Sequence, residues 1–108
     1  MPTSRAWLLV TLAGLLEVAW AIGLKSSEGF TRPWVSAFTV VTLAGSMWLL
    51  ALALRTLPVG TGYAVWTGIG AVGTAILGVV LLGESRSLAR LACIALIVVG
   101  IVGLRVAK

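Results

Sequence analysis

Four apolar segments, each about as long as a membrane-spanning helix, constrain this chain more than any other feature of its sequence. A helix needs roughly 20 residues, within a range of about 17–25, to cross the hydrocarbon core of a bilayer. Backbone polar groups in lipid must be hydrogen-bonded within the segment, so each run is predicted to be an α-helix. The predicted spans are residues 6–24, 34–54, 59–82 and 88–104, joined by short polar connections within one membrane domain, residues 1–108.

The composition favours the same class and excludes several others. Of the 108 residues, 60% are hydrophobic and 10% are charged. In a typical soluble domain about 25% of the residues are charged. There is no histidine, and the three acids and Cys93 lie on separate segments, so catalytic triads that use histidine and metal sites are not expected. The basic residues lie singly at the ends of apolar runs, which is typical of membrane proteins rather than nucleic-acid-binding proteins. We expect an all-α integral membrane protein that is neither an enzyme nor dependent on a cofactor.

The basic residues are divided equally between the two ends of the spans. With four spans both termini lie on one side, so the two sets are Arg5, Arg55, Arg105 and Lys108 against Lys25, Arg32, Arg86 and Arg90. Membrane orientation normally follows an excess of such residues on the cytoplasmic side. Because neither side has an excess, we expect both orientations to insert. An antiparallel homodimer then becomes possible, and it can enclose a cavity that four helices cannot.

Glu17 is the most informative residue for function. It lies near the middle of the first span, where a charge costs on the order of 3 kcal/mol on insertion scales. Burial disfavours its charged form, so this carboxyl group is predicted to exchange protons near neutral pH. It is also the only acid within a span, and one group that binds either a proton or a cation is the minimum machinery for exchange. The alternative is a permanently protonated glutamate that makes one interhelical hydrogen bond.

The neighbours of Glu17 on its helix are placed to complete a binding site. Gly14 and Trp20 lie three residues to either side of it and share its face, so that the glycine leaves room and the indole provides a flat wall. In the second span, Thr42 and Ser46 continue a polar stripe that starts at Thr39. Hydroxyl groups at this spacing often bond carbonyls of their own helix, so the stripe alone does not decide between a site and local bonding.

The third and fourth spans contribute aromatic, hydroxyl and glycine residues. Tyr63, Trp66, Thr67 and Gly70 are predicted to share one face of the third span, and Thr67 is a supporting residue of the site. The predicted hinge or packing glycines are Gly68, Gly70 and Gly73; the sequence does not separate a hinge for alternating access from close helix contact. Gly100 and Gly103 give the fourth span a small-residue face that suits helix packing or dimerisation.

These residues together carry a family resemblance. The stretches that carry it are GLLEVAW at 14–20, KSSEGFTR at 25–32 and LPVGTGYAVWTGIG at 57–70. Over essentially its whole length the chain resembles the small multidrug resistance family of four-helix, proton-coupled exporters. Within that family Trp20, Ser46 and the WTGIG segment resemble the subtype that exports guanidinium. The resemblance implies a multi-pass protein of the bacterial cytoplasmic membrane, an antiparallel homodimer in which both copies of Glu17 form one site, and guanidinium export in exchange for protons.

The chemistry of these residue types suits such a substrate. A carboxylate can receive the planar guanidinium ion through two hydrogen bonds, and a cation gains about 0.5–2 kcal/mol near an aromatic face. The expected substrate and proton site consists of Glu17, Trp20, Ser46, Tyr63 and Trp66, supported by Gly14, Thr42 and Thr67.

Two other functions stay open at this point. One is an exporter of bulky quaternary ammonium or lipophilic cations, which needs a wider apolar wall and which Trp20 and Ser46 disfavour. The other is a membrane protein that transports nothing itself and modulates a larger partner. An intramembrane glutamate beside aromatic and hydroxyl groups is not needed for that role.

Overall fold

The computed structural model describes residues 2–107, and it is all-α. Its helices are α1 (Thr3–Ser26), α2 (Pro33–Ala53), α3 (Val59–Leu82) and α4 (Leu88–Val106). Each of the four is long and apolar enough to cross a membrane. The predicted fold class is therefore confirmed. Compared with the predicted spans, α1 extends further at both ends, α2 is shifted by one residue, α3 has the same bounds and α4 ends later.

The helix ends follow from local sequence. Pro33 occupies the first position of α2, where its missing N–H has no helical partner to lose. Gly83 ends α3 with a left-handed φ of 68°, a conformation that glycine adopts without a Cβ clash. The Ser87 side chain accepts a hydrogen bond from the backbone N–H of Arg90 at 3.3 Å and so caps α4.

A compact turn reverses the chain between α1 and α2. Glu28, Gly29 and Phe30 all have positive φ, at 50°, 73° and 66°. Ser27 is fully buried beneath them and fixes the turn. Its hydroxyl donates to the Leu24 carbonyl at 2.8 Å and accepts from the Phe30 N–H at 3.1 Å. The turn therefore bonds much of its own backbone and holds the two spans close together.

The helices form a thin slab with α1 at its centre. α1 packs against both α2 and α3, and the backbone of α4 approaches α3 alone. The principal extents are 42 × 34 × 16 Å, so the molecule is much thinner in one direction than in the other two. No residue of α4 is buried. The buried core lies where α1 meets its two neighbours and includes Ala6, Val10, Ala13, Leu50, Ala53, Val65 and Trp66.

Candidate functional site

Glu17 lies deep within the length of α1. At 1.5 Å per residue it is about 21 Å from the start of the helix at Thr3 and about 14 Å from its end at Ser26. The two other acids lie outside the helices, Glu28 in the first turn and Glu84 after α3. The basic residues of the spans lie at their ends. The Glu17 carboxylate is thus separated along the helix axes from the other side chains that carry a formal charge.

Gly70 on α3 provides the surface on which Glu17 rests. A Cβ placed on Gly70 would overlap the Glu17 carboxylate, so a side chain at this position and the observed position of the acid exclude each other. The neighbouring contacts are equally close, because a Cβ on Gly14 would lie 2.7 Å from Ile69 and a Cβ on Gly73 would overlap Val18. Small residues of both helices therefore allow α1 and α3 to approach and hold the carboxylate between them.

In residues 2–107, three buried polar atoms without a partner lie on α1 and α3, one of them on Glu17 itself. Within the described part of the chain, the buried side-chain nitrogen and oxygen atoms that lack a hydrogen bond are Glu17 Oε1, Trp20 Nε1 and Thr74 Oγ1. Trp20 follows Glu17 by about 4.5 Å of helix rise, and Thr74 follows Gly70 by about 6 Å. Buried polar atoms are normally hydrogen-bonded, so these exceptions require a functional or structural explanation. The two acceptor oxygens and the one N–H donor are available to a small polar ligand.

Thr74 was not among the residues that the sequence singled out. A threonine within an apolar helix usually bonds a carbonyl of its own helix, and Thr39 does so with the Val35 carbonyl at 2.8 Å. The Thr74 hydroxyl has no such bond. Its spacing of four residues after Gly70 is the sequence signal that could have identified it, but only once Gly70 was known to face Glu17.

Ser46 joins three helices beside the acid. Its hydroxyl donates to the Ala13 carbonyl of α1 at 2.6 Å and accepts from the indole N–H of Trp66 on α3 at 2.9 Å. Ser46 is fully buried and Trp66 is 6% exposed. The structure therefore brings together two of the predicted site residues and bonds them to each other, rather than bonding Ser46 to Glu17. Sequence reasoning did not identify the Ala13 carbonyl, because a backbone acceptor leaves no signal in residue type.

Tyr63 and Thr67 lie on an open side of α3. Tyr63 is 56% exposed and packs edge-on against the Trp66 ring, with ring centroids 5.4 Å apart and planes at 61°. Thr67 is exposed, whereas Trp66 and Gly70 are buried. The four residues predicted to share one face are thus divided between the packed and the open side of the helix.

Thr42, predicted to support the site, bonds only within its own helix. The Thr42 hydroxyl donates to carbonyls of its own helix, Phe38 at 2.8 Å and Thr39 at 3.1 Å, so the local-bonding alternative holds for this part of the polar stripe.

The glycines predicted to act in packing differ in their surroundings. Gly68 faces α4, where a Cβ would lie 2.8 Å from Ile101. Gly100 and Gly103 have open space where a Cβ would stand, and so their predicted packing has no counterpart within one chain.

The arrangement offers a hydrogen-bond acceptor with a negative charge to a small cation. Among residues 2–107 no three His, Cys, Asp or Glu side chains lie close enough together to hold a metal ion. The site contains one carboxylate oxygen without a partner in the middle of a membrane span. An unpartnered indole N–H lies about one turn further along α1, at Trp20, and an unpartnered hydroxyl lies one turn beyond Gly70 on α3, at Thr74.

Comparison with known proteins identifies the same class. A family model described as Small Multidrug Resistance protein matches residues 5–97. A guanidinium exporter of Yersinia pseudotuberculosis is 63% identical over 103 residues, which is 95% of this chain and 99% of that protein. A guanidinium exporter of Escherichia coli K12 is 60% identical over 100 residues, 93% of this chain and 95% of that protein. A guanidinium exporter of Citrobacter freundii is 59% identical over the same length.

These relatives are exporters and not enzymes, and their match extends across all four helices of this chain. With four apolar helices, the chain is a multi-pass membrane protein, consistent with the bacterial inner membrane. The match of the family model to residues 5–97 and the identity to full-length relatives show that this chain belongs to the small multidrug resistance family.

Proposed function

We propose that this chain exports guanidinium and small guanidinyl cations in exchange for protons, and that Glu17 binds both. The observation that carries the proposal is the unpartnered, buried carboxylate oxygen of Glu17 in the middle of a membrane span, with further unpartnered polar atoms on the same two helices at Trp20 and Thr74. Relatives that cover nearly the whole chain are named guanidinium exporters, which supports the choice of cation.

The ligand chemistry supports a small planar cation. Guanidinium presents its N–H donors in one plane, and a carboxylate can accept two of them side by side. The Thr74 hydroxyl can accept another, and the Trp20 ring can lie against the face of the ion. Glu17 is held close to Gly70, so the space beside the carboxylate is bounded by backbone rather than by flexible side chains. A flat cation with several N–H donors matches these groups better than a tetraalkylammonium ion, which has no N–H to donate.

Exchange follows from one group with two mutually exclusive ligands. A deprotonated Glu17 binds the cation from the cytoplasmic side, and the protein then opens to the other side. Protons displace the cation there, and the protonated form returns. Because the acid lies far from other formal charges, its occupancy by a cation or a proton avoids an uncompensated charge in the membrane interior.

We further propose that the working unit is an antiparallel homodimer. Four helices arranged in a slab 16 Å thick do not surround a cavity, and Tyr63 and Thr67 point to the open side of α3. A second copy facing this side would enclose the Glu17 region between two slabs. The equal division of basic residues between the two ends supports insertion of the two copies in opposite orientations.

The test is proton flux in proteoliposomes that contain the purified protein. Adding guanidinium to one side should drive protons in the opposite direction, and Glu17→Gln should abolish this flux because the amide can neither release a proton nor carry a negative charge. Glu28→Gln is the matched control, since it makes the same substitution at an acid outside the helices. Coupled flux that survives in Glu17→Gln would refute the proposed role of Glu17.

A second arm ranks the substrates. Tetraethylammonium should produce a weaker signal than guanidinium at equal concentration, because it has no N–H groups to donate to the Glu17 carboxylate and the Thr74 hydroxyl. A stronger signal with tetraethylammonium would reassign the protein as an exporter of quaternary ammonium ions. Silence with both cations would favour a role that depends on a partner.

A further inference from the structure

A groove lies at the end of the molecule opposite the turn between α1 and α2, where the start of α1 meets the end of α2. Its volume is about 720 Å³, and its lining residues are Arg5, Leu9, Leu52, Arg55 and Thr56. Arg5 is in the first turn of α1, and Arg55 follows the last residue of α2, Ala53, by two positions. Two arginines from distant parts of the sequence therefore converge on one groove at the end of the membrane spans.

Neither guanidinium group is neutralised within the described residues. The ion pair found there joins Arg90 to Glu84 at 2.8 Å, at the other end of the spans. Glu28, the remaining acid outside the helices, is also at that other end. Arg105 lies at the same end of the spans as the groove. Its guanidinium lies over the Trp7 ring, 5.1 Å from the ring centroid, and Arg105 is not one of the residues that line the groove. The groove thus presents two exposed, uncompensated positive charges.

The shape and depth of the groove indicate its ligand. Guanidinium groups bind phosphate oxygens through paired hydrogen bonds, and two of them can hold one phosphodiester. Leu9 lies one turn deeper than Arg5 on α1, and Leu52 lies one turn before Arg55, so apolar walls continue from the charged mouth toward the membrane interior. A charged mouth above apolar walls matches a molecule with an anionic head and a hydrocarbon tail.

We propose that this groove binds an anionic phospholipid, with Arg5 and Arg55 on the phosphate and the acyl chain along Leu9 and Leu52. A free phosphate ion shares the headgroup chemistry but makes no use of the leucine walls. Basic pockets between helix ends are a recognised form of anionic-lipid site. The proposal concerns a region separate from Glu17 and does not depend on the transport mechanism.

The test is lipid binding to the purified protein in neutral detergent, measured by native mass spectrometry. Phosphatidylglycerol should bind more tightly than phosphatidylcholine with the same acyl chains. The double variant Arg5→Gln/Arg55→Gln should bind phosphatidylglycerol roughly 30-fold more weakly than the wild type. This is the loss in affinity expected when two basic residues near a lipid headgroup are removed. The matched control is Lys25→Gln/Arg32→Gln, which removes the same charge at the other end of the spans and unbalances the two ends equally. Neither of its residues lines this groove.

Three results would overturn the proposal. They are equal binding of the two lipids, equal losses in the two double variants, and displacement of phosphatidylglycerol by millimolar inorganic phosphate, which would identify a free-phosphate site. The wild-type protein provides a test that does not depend on folding of the variants. Its preference for phosphatidylglycerol should fall as salt rises from about 0.1 M to 1 M, where screening shortens from about 10 Å to 3 Å.

Discussion

The indole nitrogen of Trp66 on α3 donates a hydrogen bond to the Ser46 hydroxyl on α2 at 2.9 Å. That hydroxyl donates in turn to the Ala13 carbonyl on α1 at 2.6 Å. A single serine therefore links three helices. The link fixes the Trp66 ring at the level of Gly14, whose Cβ position lies 3.5 Å from the Trp66 carbonyl and one turn from Glu17.

Replacing Ser46 by alanine should destabilise the chain and loosen Trp66. The substitution leaves a buried indole N–H without an acceptor, at a cost of about 1–3 kcal/mol in the free energy of unfolding. Denaturant titration in mixed micelles measures this cost. Thr42→Val is the matched control, because the Thr42 hydroxyl bonds only its own helix, and it should cost less. Equal losses in the two variants would show that the three-helix link contributes nothing.

Replacing Gly70 by alanine should displace the Glu17 carboxylate. The added methyl group overlaps the carboxylate, and relieving such overpacking costs about 1–3 kcal/mol. Guanidinium affinity, measured by isothermal titration calorimetry, should fall by roughly tenfold, about 1.4 kcal/mol of binding free energy, because the displaced carboxylate is no longer where the cation binds.

The control for this variant is Gly60→Ala on the same helix. A Cβ at Gly60 meets no atom within 4 Å, so this substitution should leave affinity unchanged. If Gly70→Ala binds guanidinium with wild-type affinity, close contact between the Glu17 carboxylate and Gly70 is not required for binding.

Guanidinium binding should weaken as pH falls, if a proton and the cation compete for Glu17. Where the acid is mostly protonated, affinity should drop by about tenfold per pH unit for each proton displaced. Titrations of the wild type and of Glu28→Gln between pH 5 and 9 should give the same curve. A pH-independent affinity in the wild type would separate proton binding from substrate binding and contradict the exchange mechanism.

Replacing Thr74 by valine should separate stability from function. Valine keeps the shape and removes a buried hydroxyl that has no partner, so the free energy of unfolding should stay the same or rise by about 1 kcal/mol. Guanidinium affinity should nevertheless fall, since the proposed site loses one acceptor. Thr11→Val is the control, because the Thr11 hydroxyl is exposed and bonds the Trp7 carbonyl at 2.8 Å. Unchanged affinity in Thr74→Val would remove this residue from the site.

The sequence by itself determined the number of spans, their class and the depth of the acid. Lipid offers no hydrogen bonds to the backbone, so an apolar run of about 20 residues has essentially one conformation available to it. The position of Glu17 in the first run then follows from counting residues. The motifs around Glu17 and Trp66 were also sufficient to indicate the family.

Only the tertiary structure decided which side chains meet. Gly68 and Gly70 are two residues apart and look alike in the sequence, yet Gly68 faces α4 and Gly70 holds the Glu17 carboxylate. Thr42 and Ser46 belong to one polar stripe, yet only Ser46 bonds neighbouring helices. Such choices depend on the rotation and axial register of each helix against its neighbours. The rotation and register are set by packing between residues far apart in the chain. They cannot be read from the 3.6-residue period of a single helix.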